Sequence, residues 1–442
     1  MSRRIAVIGT GYVGLVTAVG LSDFGHYVVG VDIDNGKIEK LSKGQIPIYE
    51  PGLEEYFRRN VEAGRLSFTT HVANSIKNSE VIFIAVGTPS KKDGDVDLSY
   101  VFNAVNTIGK NLNGYKVIVI KSTVPVGTNR DVARRLKEIT GNNNFDVVSN
   151  PEFLREGKAI HDFFHPDRIV IGTNSEKAKE IMKEIYRPLY LIETPFVFCN
   201  PETAELIKYA SNAFLATKIT FINQIANLAE EVGADVHVVA KAMGMDGRIS
   251  PKFLHPGPGF GGSCFPKDTR GLVKIGEKYG VDISLVREVI RANEMQKERV
   301  IQKLKRHLGK LDGKKISILG VSFKAETDDV RESPAIYVCE RLIQENAILR
   351  VTDPRALNNF KSIFGDKILY FENVYEAVSG TDAIVILVEW NEYRGLDLEM
   401  LREKMKGNII IDFRNVLDVE TVERFGFIYD GIGRRNLVEK HN

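Results

Sequence analysis

The amino-acid sequence predicts an α/β protein with two doubly wound sheets, joined by a long central helix and a helical middle domain. Three observations carry this expectation. Short runs rich in Ile and Val alternate with helical periodicity near both ends of the chain; a glycine fingerprint links the first strand to the first helix; and about 30 residues after Pro201 pass without a helix breaker. The expected domains are 1–198, 199–308 and 309–442.

Arg4 to Ile8 reads as a short, buried parallel strand. It runs into Gly9-Thr-Gly-Tyr-Val-Gly14, a helical stretch from Leu15, and a second strand, Tyr27 to Val31, that ends in Asp32. In G-x-G-x-x-G, Gly9 makes the tight turn, Gly11 lets backbone approach a pyrophosphate, and Gly14 lets helix and strand pack closely. Asp32 follows at the position that accepts hydrogen bonds from the adenosine ribose. Its charge would repel a 2′-phosphate, so NAD is expected rather than NADP. The first domain therefore reads as Rossmann-like.

Further strands are expected at Val81–Val86, Lys116–Ile120, Phe145–Val148 and Asp167–Ile171. The loops leaving such strands line the ligand crevice of an open parallel sheet, which places Thr88, Thr123, Glu152 and Glu156 as candidates. Turn and cap chemistry accounts equally well for each of them taken singly. From Pro201 to Gly233 the pattern becomes one helix, a spine of roughly 45 Å. Lys208 and Asn212 lie four residues apart on it, hence on one face, among apolar neighbours. Such a lysine is either a solvated edge residue or a partly buried amine suited to proton transfer. The spine's small and apolar residues also suit self-association.

The stretch Gly257-Pro-Gly-Phe-Gly-Gly-Ser-Cys-Phe-Pro-Lys-Asp268 cannot be the interior of a helix or strand. A helix follows it, with Pro266 at its start and Asp268 in its first turn. Cys264 then precedes a helix N-terminus with Lys267 close behind, and both features favour the thiolate. The glycines are expected to let backbone close around a substrate. After helical segments reaching about His307, strands at Lys315–Gly320, Ile348–Thr352, Ala383–Val388 and Asn408–Asp412 form the second doubly wound domain. Its Gly320-Val-Ser lacks the three-glycine fingerprint, so a ligand other than a second dinucleotide is expected, with Lys324, Arg331 and Arg414 as candidate phosphate contacts.

Composition narrows the partners. The 60 Lys+Arg against 58 Asp+Glu give no basis for nucleic-acid or anionic-membrane binding, and no apolar run reaches the roughly 18 residues of a membrane span. Three dispersed cysteines, Cys199, Cys264 and Cys339, argue against a disulfide framework, and Cys199 and Cys339 fall in apolar surroundings that suit a structural role. The chain starts directly in a strand, so no signal peptide and a cytoplasmic location are expected. No metal site is expected.

Taken together, these motifs resemble the nucleotide-sugar 6-dehydrogenases, the UDP-glucose/GDP-mannose dehydrogenase family. The resemblance extends over essentially the whole chain. It rests on the glycine fingerprint, Gly87-Thr-Pro89, Ser122-Thr-Val-Pro125, Asn150-Pro-Glu-Phe-Leu-Arg-Glu-Gly157, Lys208-Tyr-Ala-Ser-Asn-Ala-Phe214, the cysteine stretch, Phe323-Lys324 and Arg331-Glu-Ser-Pro334. It implies oxidation of a sugar primary alcohol to a carboxylate by two NAD, with no free aldehyde released. By resemblance, Lys208 and Asn212 polarise the reacting oxygen, while Asp268 and a water, with Thr123, handle the proton. Cys264 forms a thiohemiacetal and then a thioester, and Glu152 assists hydrolysis. The same resemblance assigns Gly9, Gly11, Tyr12, Val13, Gly14, Asp32, Lys37, Thr88, Thr123, Glu156, Lys267 and Arg331 to NAD. It assigns Glu152, Phe153, Leu154, Lys208, Asn212, Phe260, Gly261, Phe323, Lys324 and Arg414 to the UDP-sugar. Arg248 resembles an arginine that reaches a neighbouring subunit's site, which implies a homodimer or a higher homo-oligomer. His255 departs from the lysine that some members carry there.

The Cys-Phe-Pro-Lys-Asp form points to UDP-glucose as substrate, with GDP-mannose or a UDP-N-acetylhexosamine as alternatives. A two-electron hydroxyacid dehydrogenase of the 6-phosphogluconate type would share the first domain and the Lys-x-x-x-Asn pair but needs no cysteine. A non-catalytic NAD-binding protein would need none of Lys208, Cys264 and Asp268.

Overall fold

A computed structural model describes residues 2–434; the last eight residues of the third expected domain, 435–442, lie outside the described residues. The chain divides into two compact units, residues 1–211 with 274–281, and residues 212–273 with 282–442.

The first unit is built on eight strands: β1 (Arg4–Ile8), β2 (Tyr27–Val31), β3 (Leu66–Thr69), β4 (Val81–Ile84), β5 (Lys116–Ile120), β6 (Phe145–Ser149), β7 (Ile169–Gly172) and β8 (Phe196–Cys199). Their order is β3-β2-β1-β4-β5-β6-β7-β8. All neighbours are parallel except β6 and β7, which meet antiparallel through Ser149 and Gly172. The six expected strands are present, but β4 stops at Ile84, because Ala85 onward already turns toward the crevice. The edge strands β3 and β8 are additional to them. Strands β1, β4 and β5 are buried along most or all of their length, on both faces, as apolar runs in parallel sheets must be. The order reverses between β1 and β4, so a crevice opens beyond their carboxyl ends, where Gly9–Gly14 and Gly87–Pro89 lie.

The second unit repeats the plan with β9 (Lys315–Leu319), β10 (Ile348–Thr352), β11 (Leu369–Tyr370), β12 (Ala383–Ile386), β13 (Ile409–Asp412) and β14 (Ile428–Gly431), all parallel, in the order β11-β10-β9-β12-β13-β14. Gly320 makes the turn after β9 with φ +87°, and a Cβ there would sit 2.5 Å from the Val388 side chain. Asp353 follows β10 as Asp32 follows β2, yet it is consumed internally. Its Oδ2 accepts from Val321 N (2.7 Å), Ser322 N (3.1 Å) and Trp390 Nε1 (3.3 Å), and its Oδ1 accepts from Arg355 N and Ala356 N. A carboxylate engaged this fully by its own turn has little capacity left for a ribose, in keeping with the absence of the glycine fingerprint from Gly320-Val-Ser.

The long helix runs unbroken from Pro201 to Val232, about 48 Å at 1.5 Å per residue. A second long helix, Ser284–Leu308, and the helix Phe265–Tyr279 that follows the cysteine complete the middle of the chain. Among the described residues no helix is long and apolar enough to cross a membrane. Cys339 is buried in the helix Pro334–Gln344 and Cys199 half-buried in β8; burial pushes both thiols up, which makes them poor nucleophiles.

The third glycine of the fingerprint is the tightest contact in the first unit. A Cβ on Gly14 would lie 1.8 Å from the Gly9 carbonyl oxygen. Gly14→Ala is therefore expected to cost at least about 1–3 kcal/mol by overpacking, read as a lowered denaturant midpoint. An unchanged midpoint would show that helix Tyr12–Asp23 can back away from β1 at no cost.

Candidate active site

In the first unit, each fingerprint glycine has its own physical reason. Gly9 holds φ +95°, where a Cβ would lie 2.7 Å from the Ala85 carbonyl oxygen, and a Cβ on Gly14 would run into Gly9. A Cβ on Gly11 would meet nothing within 4 Å. Gly11 is thus bare not for packing but because the space above it, at the N-terminus of helix Tyr12–Asp23, is open to a ligand. Asp32 Oδ2 accepts from Thr10 N and Thr10 Oγ1 at 2.9 Å and from Lys37 Nζ at 3.1 Å, and its Oδ1 accepts from Asp34 N at 3.2 Å. Burial pulls this carboxyl up, but those donors outweigh it and hold it below the usual carboxylate range, so Asp32 is ionised. The open glycine and the anchored acid fit NAD. Val13 sits beside Tyr12 at the helix start, half-buried. Tyr12 turns away to Glu50, a buried carboxylate that also accepts from Gly157 N and Ala159 N at 2.7 Å. Burial and Glu50 together push the Tyr12 phenol well up, so it stays protonated and braces the loop carrying half-buried Glu156.

Beyond β5 and β6 the same unit holds a buried ion pair. Lys208 Nζ lies 3.1 Å from Glu152 Oε1, with side chains only 4% and 5% exposed. Lys208 is therefore the buried amine of the two possibilities. Glu152 Oε2 accepts from Leu154 N at 2.6 Å, and the Phe153 ring lies between Lys208 Nζ at 5.3 Å and the Arg168 guanidinium at 3.6 Å. Thr123 lines a small cavity with Lys208, Pro151 and Glu205. Thr88 is buried in the loop after β4, which Ser122 Oγ ties down by donating to Val86 O at 2.7 Å.

The second unit carries the other set. Asp268 is fully buried, with Oδ1 2.5 Å from Lys267 Nζ and Oδ2 accepting from Asn212 Nδ2 at 2.6 Å. The Cys264 carbonyl accepts from Asp268 N at 2.8 Å, so thiol and carboxylate are one turn apart at the start of helix Phe265–Tyr279. Ser263 Oγ lies 3.6 Å from Cys264 Sγ. The helix begins at Phe265, one residue before the expected Pro266 start.

The glycines of the cysteine stretch also pack closely on protein. A Cβ on Gly257 would lie 2.8 Å from the Arg414 guanidinium, on Gly261 2.3 Å from Glu332 O, and on Gly262 2.7 Å from the Phe323 ring. The stretch thereby gathers Phe260, Gly261, Phe323 and Arg414, with Lys324 Nζ 5.5 Å from the Phe323 ring centroid. Glu332 (φ 49°) and Asn415 (φ 49°) adopt left-handed backbone beside Arg331 and Arg414. Arg331 itself is turned onto Asp329 at 2.7 Å, and it belongs to the second unit while the fingerprint belongs to the first. Arg248, with its side chain 90% exposed, pairs with its neighbour Asp246. His255 is exposed.

Three sequence models of one family match in succession: its NAD binding domain over residues 3–190, its central domain over 202–295 and its UDP binding domain over 317–419. The chain belongs to the UDP-glucose/GDP-mannose dehydrogenase family. Within this family it is 50% identical over 435 residues to a UDP-glucose 6-dehydrogenase of Rhizobium meliloti (strain 1021), covering 98% of this chain and 99% of the relative. A UDP-glucose dehydrogenase structure from Pyrobaculum islandicum superposes with TM-score 0.92 at 40% identity, covering 98% of each chain. A UDP-D-ManNAc dehydrogenase from Pyrococcus horikoshii superposes with TM-score 0.86 at 31% identity, covering 98% of this chain and 99% of that one. In family terms, the fingerprint and Asp32 lie in the NAD binding domain, Lys208, Asn212, Cys264 and Asp268 in the central domain, and Phe323, Lys324, Arg331 and Arg414 in the UDP binding domain.

Three buried charged residues escaped sequence reading. Glu50 reaches partners more than 100 residues away and gives no local signal. Glu205 lies three residues before Lys208, on its face of the helix, where it accepts from Gly127 N and Asn129 N at 2.7 Å. Burial pushes it up to about 7 against those two donors. Lys121 opens the Ser-Thr-Val-Pro loop; fully buried, it donates to Asn150 Oδ1 at 3.1 Å and Tyr186 OH at 3.4 Å. Burial pulls Lys121 down to about 8, with Glu152 opposing and Lys208 adding to the shift. Between about pH 8 and its ordinary 10.5, the unfolded chain holds this proton and the folded chain has released it. Stability from this group therefore rises with pH across that window. The stability of the protein relative to Lys121→Met is expected to increase from pH 8 to pH 10.5 in paired denaturant titrations. A constant difference would contradict the burial of a free amine.

Proposed function

We propose that the protein converts UDP-glucose to UDP-glucuronate, a four-electron oxidation at C6 that consumes two NAD and one water. The observation that carries this reading is the pairing of Cys264 with buried Asp268 one helical turn on, because a single alcohol oxidation needs no such thiol. The hydride released in each of the two oxidations would pass to bound NAD. In the first, Lys208 and Asn212 donate to the C6 oxygen, and Asp268, through a water and with Thr123, takes the hydroxyl proton. Cys264 sulfur then adds to the aldehyde carbon, giving a thiohemiacetal whose loss of hydride leaves a thioester. Water cleaves the carbon–sulfur bond, Glu152 taking its proton, and the carboxylate leaves as the thiolate re-forms. Capture on sulfur keeps the aldehyde from escaping.

Asp32 and Lys37 hold the adenosine ribose, the helix N-terminus at Gly11 the pyrophosphate, and Thr88, Glu156, Lys267 and Arg331 complete the cofactor contacts. Phe153, Leu154, Phe260, Gly261, Phe323, Lys324 and Arg414 receive the UDP-sugar. UDP-glucose is favoured over N-acetylated or GDP-linked sugars by the Cys-Phe-Pro-Lys-Asp form, and by higher identity to relatives named for UDP-glucose than to one named for UDP-D-ManNAc. A homodimer is favoured by Phe214, Phe221 and Leu228, exposed at seven-residue spacing along the long helix, and by Arg248, whose outward side chain would serve a neighbouring subunit.

Cys264→Ala is expected to retain NAD and UDP-glucose binding within about threefold by calorimetry while forming no UDP-glucuronate by chromatography. Acid formation at the wild-type rate would overturn the thioester route and favour a two-electron dehydrogenase.

A further inference from the structure

The cysteine stretch is too rich in glycine and proline to hold itself in place, so its rigidity must come from outside. Its backbone is held by buried side-chain amides from two helices. Asn223, on the long helix, accepts from Gly257 N at 2.8 Å, and Gln296, on helix Ser284–Leu308, donates to Gly257 O at 2.9 Å. One turn earlier on that helix, Asn293 Oδ1 accepts from Phe260 N at 2.7 Å and Asn293 Nδ2 donates to Phe260 O at 3.1 Å. A single side chain thus satisfies both backbone groups of one loop residue, as a neighbouring strand would. The three amides are 1–3% exposed, and Asn227 Nδ2 braces Gln296 Oε1 at 2.9 Å.

The approach is possible only because Gly259, at φ +113°, has no side chain: a Cβ there would lie 2.9 Å from Asn293 Oδ1. Beyond Phe260 the next anchor is Gly262 N donating to Arg331 O at 2.9 Å, and the helix begins at Phe265. Only three residues separate Phe260 from Cys264, so a shift at Phe260 is carried to the sulfur. Positioning errors of this kind lower rate without abolishing binding.

We propose that Asn293 is a positioning residue for the reaction, setting the place of the Cys264 thiol through its two-way bond to Phe260. The proposal rests on Cys264 being the nucleophile. Asn293→Asp keeps the shape and can accept from Phe260 N, but it sets a carboxylate oxygen against Phe260 O. Asn293→Ser removes the reach altogether.

Both variants are compared with wild type for thermal midpoint, KM for NAD, kcat on UDP-glucose and the rate of Cys264 alkylation by iodoacetamide at fixed pH. The expected result is a kcat at least tenfold lower, KM for NAD within twofold and an alkylation rate changed at least threefold, with Asn293→Gln recovering part of kcat. Wild-type kcat and alkylation rate in either folded variant would overturn the proposal. So would a midpoint lowered by more than 15 °C in both, which would make Asn293 a folding residue. If instead Cys264→Ala still makes acid at the wild-type rate, the nucleophile reading itself has failed, a result distinct from either.

Discussion

A charge removed from water must find partners, and this constraint organises the functional residues. Asp268 has no exposed surface, and its two carboxyl oxygens engage Lys267 and Asn212. Glu152 and Lys208 answer the same demand in the other unit. Removing one partner from such a pair costs far more than the pair contributes, about 3–5 kcal/mol. Within each unit the buried charges therefore fix one another's orientation.

Glycine sets the second constraint, and its reasons differ along the chain. Gly14 is demanded by the Gly9 carbonyl, Gly261 by Glu332 and Gly262 by the Phe323 ring, whereas Gly11 faces open space. The first three build the scaffold; Gly11 leaves the space at the N-terminus of helix Tyr12–Asp23 open. The same contrast separates the two sheets. Asp32 keeps a place at the crevice, while Asp353 is spent on the backbone of its own turn.

What was legible in the sequence is what depends on near neighbours. The fingerprint, Asp32, the long helix and the Lys208–Asn212 spacing are all set within one or two elements. Strands β3, β8, β11 and β14 are edge strands of two to four residues, each with polar or half-exposed positions, and their pairing is decided by distant chain. The antiparallel joint of β6 and β7 has no local signature either. Glu50, Lys121, Glu205 and Asn293 act through contacts 29 to 109 residues away, so no spacing rule could select them. The glycine and proline content of the cysteine stretch marks it as a special loop, whereas its contacts with Asn293, Glu332, Phe323 and Arg414 come from distant chain and have no local signal.

The proposed chemistry takes one sugar alcohol through two oxidations on a single enzyme. Limiting UDP-glucose is converted in the presence of excess NAD, and the NADH formed per sugar is read by absorbance. The account predicts two NADH for each UDP-glucose, with no free aldehyde trapped by hydroxylamine. One NADH per sugar, with aldehyde accumulating, would contradict it.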